Sequence, residues 1–205
     1  MTARFGPAGN SDSFYAAGNK ATLQAPAWLH SMGLTAYEYQ CGRGVRVTEE
    51  TARAMGAEAA KYGVQMSLHA PYFISLASAE PEKRDNSIRY ILESARAVAQ
   101  MGGERIVAHP GGLGGLSRAE ATALASKTLL RAQEALDNEG LSQVRICPET
   151  MGKINQLGDL DEVLQFCSLD ERFLPCVDFA ANRWLRRLLP ERSCRHRKTG
   201  IPSTI

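Results

Sequence analysis

Four side chains that can bind a metal ion each close a short apolar run typical of a buried β-strand. Two are histidines and two are carboxylates, and successive members lie 40, 40 and 29 residues apart. The carboxyl ends of the strands in a parallel barrel meet on one face, so we expect these side chains to converge there. Imidazole nitrogens and carboxylate oxygens together suit Zn²⁺ or Mn²⁺. The predicted ligands are His69, His109, Glu149 and Asp178.

Prolines follow both histidines and take the chain out of its strand. Pro71 lies two residues after His69, and Pro110 directly follows His109. Because proline removes a backbone donor and restricts the residue before it, each strand should end there with its imidazole at the mouth. One histidine at a strand end is more often structural than a ligand. The repeated arrangement favours the ligand interpretation.

Glu149 and Asp178 end strands that are otherwise apolar. A buried carboxylate is costly unless it is paired or bound to metal. The alternative for each is an ion pair with a loop arginine or a contact with a helix N-terminus. If both share a metal cluster, one of them can bridge two ions, and two-metal sites suit phosphoester hydrolysis.

Three further features lie near the predicted ligands. Tyr72 is the candidate for a side chain that faces the substrate, with packing against a neighbouring loop as the alternative. Glu38 is another carboxylate near a strand end, and its role stays open. The glycine-rich run 111–115 has no Gly-Lys-Ser/Thr after it, so it indicates a flexible active-site loop rather than a phosphate cradle.

Helical patterns alternate with the strands along the chain. The clearest helix start is the capping box Ser117-Arg-Ala-Glu120. Strict alternation indicates a parallel sheet, which right-handed connections curl into most of a barrel or into an open doubly wound sheet. We expect an α/β fold, an incomplete TIM-type barrel of about six βα units, because a complete barrel usually needs about 250 residues. The six predicted strands are 3–6, 35–40, 64–69, 105–109, 144–149 and 173–178.

The composition is that of an ordinary soluble domain, with 44% hydrophobic residues and a net charge of +2. The sequence has neither a signal-peptide pattern nor an apolar run long enough for a membrane span. Five cysteines without a C-x-x-C pair favour a reducing compartment. We therefore expect a cytoplasmic protein with no membrane partner and no disulfide framework.

The charge is unevenly distributed. From residue 181 onward there are seven basic side chains and one acidic one, a net charge of +6, whereas the first 180 residues carry 17 basic and 21 acidic side chains, a net charge of −4. A mildly acidic body neither forbids nor supports nucleic-acid binding, because local patches and metal ions decide it. Residues 180–205 have no strand or helix period, and we expect an irregular, basic tail.

Four segments in register resemble the endonuclease IV family, the type 2 apurinic/apyrimidinic (AP) endonucleases of the xylose-isomerase-like superfamily. The resemblance extends over about residues 1–179 and implies a TIM barrel whose three zinc ions serve cleavage of the phosphodiester 5′ to an abasic site. It implies DNA containing abasic sites as the partner. Separately, we expect a monomer. The matching segments are 69–78, 107–112, 147–153 and 176–179.

The resemblance also implies a role for each site residue. By it, the four predicted metal ligands would bind zinc, Glu149 would bridge two ions at the catalytic centre, and Tyr72 would lie against the DNA. The first strand departs from the family, since Phe5-Gly-Pro stands where the family has a His-x-Ser pattern. Asp178-Phe-Ala-Ala181 lacks the family's histidine three positions after the aspartate, and the later ligands have no counterpart. We therefore expect fewer than three zinc ions.

Three functions remain open at this point. The leading one is a metal-dependent phosphodiesterase of the endonuclease IV type. The second is a sugar isomerase or epimerase of the related barrels, which use one metal ion with carboxylates and histidine to move a proton beside a carbonyl. The third is an inactive chain, because missing ligands weaken metal binding.

Departure from the family pattern after Phe179 predicts a truncation or a change of reading frame, which would leave a partial barrel over 1–179 and an aberrant tail over 180–205. Translation of the underlying nucleotide sequence in all frames should then reveal the missing motifs in another frame. An unbroken tail in the same frame in sister genes would refute this.

Overall fold

The computed structural model describes residues 3–180, which form a parallel sheet with helices along its outer face. Its four strands are β1 (Ala36–Gln40), β2 (Gln65–His69), β3 (Arg105–Ala108) and β4 (Arg145–Pro148), paired in the order β1-β2-β3-β4. A 3₁₀ turn at Thr22–Gln24 precedes the second helix. The helices are α1 (Asp12–Ala16), α2 (Ala25–Ser31), α3 (Glu49–Tyr62), α4 (Pro81–Gln100), α5 (Arg118–Asn138) and α6 (Leu160–Cys167).

The strand order and the placement of the helices distinguish a barrel from a doubly wound sheet. Strands that are consecutive in the chain are neighbours throughout the sheet, without the reversal of a doubly wound order. Tyr37 and Met66 pack with residues of α2 and α3, whereas Leu68, Ile106 and Ile146 pack with residues of α4 and α5. All five side chains lie on one face of the sheet, as in a barrel wall. The architecture is the predicted partial TIM-type barrel.

The two outermost predicted strands differ from the prediction. The chain before β1 is bonded to it, since the Gly9 N–H donates to the Glu38 carbonyl at 2.9 Å, but the pairing amounts to one isolated bridge. The segment after α6 likewise forms a single bridge, between Glu149 and Cys176. Pro7 faces β1 and has no N–H to donate to it. Leu174 and Cys176, on either side of Pro175, donate to the Ile146 and Pro148 carbonyls at 3.1 and 3.0 Å. Within residues 3–180, four full strands are thus flanked by two extended segments.

The inner face of the sheet is polar near the carboxyl ends of the strands. Residues alternate between the two faces, so the inner face receives Glu38 from β1 and Ser67 from β2, which are register partners. Gln40 and His69 form the next inward pair of the same two strands. This alternation separates an apolar surface that packs on helices from a polar surface that can hold a reaction site.

Helix starts follow the predicted capping chemistry. The Ser117 side chain accepts a hydrogen bond from the Glu120 N–H, and the Glu120 carboxylate accepts one from the Ser117 N–H, a complete capping box. Asp159 and Glu162 form a second box at the start of α6. Helix α3 begins after Thr48 and ends at Gly63, whose left-handed φ of 66° suits glycine.

The four cysteines within the described residues are free thiols. Burial raises the pKa of the Cys147 and Cys176 thiols to about 12. Both therefore stay protonated at neutral pH and pack as small apolar groups. No helix within residues 3–180 is both long and apolar enough to cross a bilayer. Except for Ala180, the predicted tail lies outside the described residues.

The core contribution of α5 can be tested at two adjacent leucines. Leu129 is fully buried between α5 and the sheet, whereas Leu130 is 43% exposed. We expect Leu129→Ala to lower the free energy of unfolding by about 2–5 kcal/mol, because it leaves a cavity. The matched variant Leu130→Ala should lower it by less than about 1 kcal/mol, as is usual for surface positions. Urea denaturation measures both, and equal losses would contradict this packing.

Candidate metal centre

Three of the four predicted metal ligands lie together at the carboxyl ends of the strands. His69 is the last residue of β2, while His109 and Glu149 directly follow β3 and β4. Their ligand atoms all lie within 4.8 Å of one another. The Glu149 Oε2 atom is 2.9 Å from His109 Nε2 and 3.2 Å from His69 Nε2. The convergence expected from strand spacing therefore holds for these three residues.

Backbone hydrogen bonds between neighbouring strands hold the three residues in place. The Ala70 N–H donates to the Val107 carbonyl at 2.8 Å, just beyond His69. The Glu149 N–H donates to the Ala108 carbonyl at 3.0 Å, just before His109. Because the ladder is parallel, each strand delivers its polar side chain to the same level. The positions of the ligands therefore follow from the register of the sheet.

The hydrogen bonds of His69 determine which ring nitrogen faces Glu149. Its Nδ1 atom lies 2.9 Å from the Ala70 carbonyl oxygen, so we assign the ring proton to Nδ1. While the ring is protonated, Nε2 donates to the Glu149 carboxylate at 3.2 Å; when Nε2 loses its proton, its lone pair faces the group, as in metal-binding histidines. Burial lowers the pKa of His69, but contacts with Glu149 and the Ala70 carbonyl outweigh burial and raise it.

Glu149 is the negative charge at the centre of the group. Burial raises its pKa, but hydrogen bonds and charge interactions with His109 and His69 outweigh that effect and lower the pKa to about 2. The carboxylate is therefore ionised at neutral pH. An ionised, largely buried carboxylate next to two imidazoles attracts cations.

The donor set fits a divalent transition-metal ion. Zinc bonds of about 2.0–2.1 Å in tetrahedral geometry separate neighbouring ligand atoms by about 3.3 Å. The two nitrogen–oxygen distances of 2.9 and 3.2 Å are close to that separation. Two imidazoles and one carboxylate are a common ligand set for zinc in enzymes and leave one position for water. His69, His109 and Glu149 could therefore hold Zn²⁺, or Mn²⁺ with further oxygen ligands.

Asp178 is not a member of this group. Its N–H donates to the Thr150 hydroxyl at 2.8 Å, and its Oδ1 atom accepts a hydrogen bond from the Ala180 N–H at 2.7 Å. The metal-ligand group within residues 3–180 comprises the other three residues only. Asp178 follows Cys176, the residue bridged to Glu149, by two positions. Its role as a ligand stays a prediction.

Tyr72 forms a wall of the centre and is 57% exposed. Its ring centroid lies 5.3 Å from that of His69 and 5.2 Å from that of His109. Phe73, the next residue, is 58% exposed, and its ring centroid lies 5.9 Å from that of Tyr90 on α4. The exposed Tyr72 ring beside the two imidazoles provides an apolar face on which a planar group can stack.

Glu38 lies on the inner face of β1, close enough to interact electrostatically with His69 and Glu149. The pKa of Glu38 is raised, mainly by burial. The charge of Glu149 raises it further, and the interaction with His69 lowers it. Its Oε1 atom accepts a hydrogen bond from the Gln40 side chain at 2.9 Å. Gln40 was missed from the sequence, although its position two residues after Glu38 puts both on one face of the strand.

The glycine-rich loop after His109 is hydrogen-bonded on both sides, and its predicted flexibility stays a prediction. The Leu76 N–H donates to the Pro110 carbonyl at 3.0 Å, and the Leu157 N–H donates to the Gly111 carbonyl at 2.9 Å. At Gly111, with φ of 93°, a Cβ atom would lie 2.8 Å from Ser75 Cα. Glycine is therefore required there by both conformation and space.

Comparison with known proteins assigns the chain to a family. A family model described as a xylose isomerase-like TIM barrel matches residues 26–181. An uncharacterized protein of Methanocaldococcus jannaschii is 34% identical over 154 residues, which cover 74% of this chain and 54% of the relative. A probable endonuclease 4 of Acholeplasma laidlawii is 36% identical over 99 residues, covering 48% of this chain and 33% of the relative. The chain thus spans about half or less of these relatives.

Two solved structures share the fold at low identity. D-psicose 3-epimerase from Clostridium cellulolyticum, with D-tagatose, has a TM-score of 0.64 at 11% identity, covering 78% of this chain and 58% of that chain. Endonuclease IV from Thermus thermophilus has a TM-score of 0.60 at 22% identity with the same coverage. The relatives named endonuclease 4 agree with the resemblance found in the sequence. Since the family model matches most of its length, the chain belongs to the xylose isomerase-like TIM barrel family.

Proposed function

We propose that this chain is a metal-dependent phosphodiesterase that acts on DNA at abasic sites and binds zinc at His69, His109 and Glu149. The observation that carries the proposal is the open group of two imidazoles and one ionised carboxylate, with both nitrogen–oxygen distances at or below 3.2 Å. Relatives named probable endonuclease 4 support the choice of DNA as substrate. The activity proposed is that of a chain spanning only part of those relatives.

A bound divalent ion would supply an activated water and neutralise charge on the phosphate. The protein's own side chains prepare this site. The contact of His69 Nδ1 with the Ala70 carbonyl fixes the ring, so Nε2 needs no reorientation on binding. Glu149 presents a full negative charge to the site. These groups orient the ligands before substrate arrives, which removes a reorganisation cost from the reaction.

The exposed Tyr72 ring at the mouth suits the proposed substrate. Tyr72 is more than half exposed, and its ring also contacts the two metal-binding histidines. Aromatic rings stack on nucleobases whatever the base sequence. A gap in a base stack, as at an abasic site, gives such a ring space to enter. Tyr72 would thus place the damaged strand over the centre.

A second candidate function is a sugar epimerase or isomerase. The specific observation that favours it is the half-buried Glu38 carboxylate with Gln40, on the same inner face as His69. A carboxyl group with a raised pKa suits proton transfer beside a carbonyl, and the Gln40 amide could bind a hydroxyl. One bound ion with activity on free keto-sugars would favour this function over DNA cleavage.

Metal binding is the first test. Calorimetric titration of the full chain with ZnCl₂ should show one or two bound ions, and His109→Ala should weaken the affinity at least about tenfold, because a ligand is lost. His30→Ala is the matched control, since His30 is exposed on α2. Affinity should fall with decreasing pH, because each imidazole must lose its proton. This loss should begin above the ordinary histidine pKa of about 6.5, because the pKa of His69 is raised.

Equal affinity of the His109→Ala and His30→Ala variants would contradict this centre. Three tightly bound ions per chain would contradict the expectation of fewer than three zinc ions.

DNA cleavage is the second test. The zinc-loaded chain should nick an end-labelled duplex with a single abasic site, and Glu149→Gln should lower the rate at least about 100-fold, since the variant loses the charge at the centre. Glu134→Gln is the control, because Glu134 is exposed on α5. Cleavage by Glu149→Gln at the parental rate, or no cleavage by the zinc-loaded parent, would refute the proposed function.

A further inference from the structure

Two loops leave the metal centre, and they are joined to each other. The His109 loop is residues 110–116, and the Glu149 loop is residues 150–158; each begins directly after the ligand that names it. Gly112 and Gln156 form an antiparallel bridge between them. The Leu113 N–H donates to the Asn155 carbonyl at 3.2 Å. The positions of the two ligands are therefore coupled through one small ladder.

Arg118, the first residue of α5, reaches this ladder with its guanidinium group. Its Nη1 group donates to the Ile154 carbonyl at 2.9 Å, and its Nη2 group donates to the Gln156 carbonyl at 3.0 Å. The Nε and Nη2 groups also donate to the two carboxylate oxygens of Glu162, each at 2.8 Å. One planar cation thus ties two carbonyls of the Glu149 loop to α6.

Glu162 continues the connection towards Glu149. Its Oε2 atom accepts hydrogen bonds from the Gly158 N–H at 2.7 Å and the Asp159 N–H at 3.0 Å. The Gly158 carbonyl in turn accepts one from the Met151 N–H at 2.6 Å, two residues after Glu149. Glu162 is only 7% exposed. Its buried charge is satisfied by Arg118 and by the loop backbone together.

We propose that Arg118 and Glu162 are positioning residues for the metal centre: they fix the paired loops and thereby the distance between His109 and Glu149. The inference rests on the proposed metal site but not on DNA as the substrate. Guanidinium is suited to this task because it offers five N–H donors in a fixed plane. Lysine can place one charge beside Glu162 but cannot hold the carboxylate and two carbonyls together.

A second ion pair of α5 shows what a purely local contact looks like. Arg131 pairs with Asp85 of α4 at 2.7 Å, with both side chains more than half exposed. Exposed pairs of this kind contribute about 0–1 kcal/mol. Neither partner touches the His109 loop or the Glu149 loop in the contacts of the described chain. Arg131 is therefore a matched control on the same helix.

The experiment compares Arg118→Met, Arg118→Lys and Arg131→Met in the full chain. Zinc affinity is measured by calorimetry, and backbone order by hydrogen–deuterium exchange of the two loops. We expect Arg118→Met to weaken zinc binding about tenfold, in the range known for residues that support metal ligands. Exchange of the Leu113 and Leu157 amides should become faster. Arg118→Lys should lie between parent and Arg118→Met, and Arg131→Met should match the parent.

A merely structural role predicts a different result: a lower unfolding temperature with unchanged zinc affinity in the folded protein. That result, or equal zinc affinity and loop exchange for Arg118→Met and Arg131→Met, would overturn the inference. If Arg118→Met does not fold, zinc affinity and loop exchange are measured on Arg118→Lys and Glu162→Gln instead, and parental values in both variants would overturn the inference. Zinc binding by the parent without DNA cleavage would refute only the proposal that DNA is the substrate. Absence of zinc binding by the parent would refute both proposals.

Discussion

One largely buried negative charge organises this molecule. The Glu149 carboxylate lies between two imidazoles, and the three groups come from strand ends about 40 residues apart along the chain. Their proximity depends on parallel register, because a shift of β4 by one residue would turn Glu149 towards the helices. The apolar side chains between sheet and helices maintain that register. The same strands therefore present apolar side chains to the helices on one face and the metal ligands on the other.

The hydrogen-bond ladder of the sheet does not by itself fix the positions of the metal ligands, because each ligand lies at the end of a strand. Beyond β3 and β4 the chain continues as loops, and loops are usually the mobile parts of a fold. Here the two loops pair with each other, and Arg118 and Glu162 hold them from the starts of α5 and α6. Glu162 belongs to the capping box of α6, and its carboxylate also accepts hydrogen bonds from Arg118 and from the Gly158 N–H of the Glu149 loop. Helix capping and ligand positioning are therefore linked.

The parts of the fold and of the metal centre that depend on local sequence patterns could be predicted from the sequence. Strand ends at His69, His109 and Glu149 follow from apolar runs and proline exits, and the helix starts follow from capping boxes. The Arg118–Glu162 contact joins residues 44 positions apart, and no local pattern encodes it. The outer two segments have apolar residues typical of strands, yet each pairs with the sheet through one isolated bridge, which no local pattern indicates. Asp178 follows such a weakly paired segment, so strand spacing could not fix its distance from the centre.

The central claim is that histidine nitrogens and the Glu149 carboxylate bind the metal ion. X-ray absorption spectroscopy at the zinc edge of the loaded chain tests it most directly. The account predicts about two imidazole nitrogens near 2.0–2.1 Å with oxygen completing the shell, and loss of one imidazole in His69→Ala. A shell dominated by sulfur at about 2.3 Å would show that zinc binds cysteine thiols, and so would contradict the account.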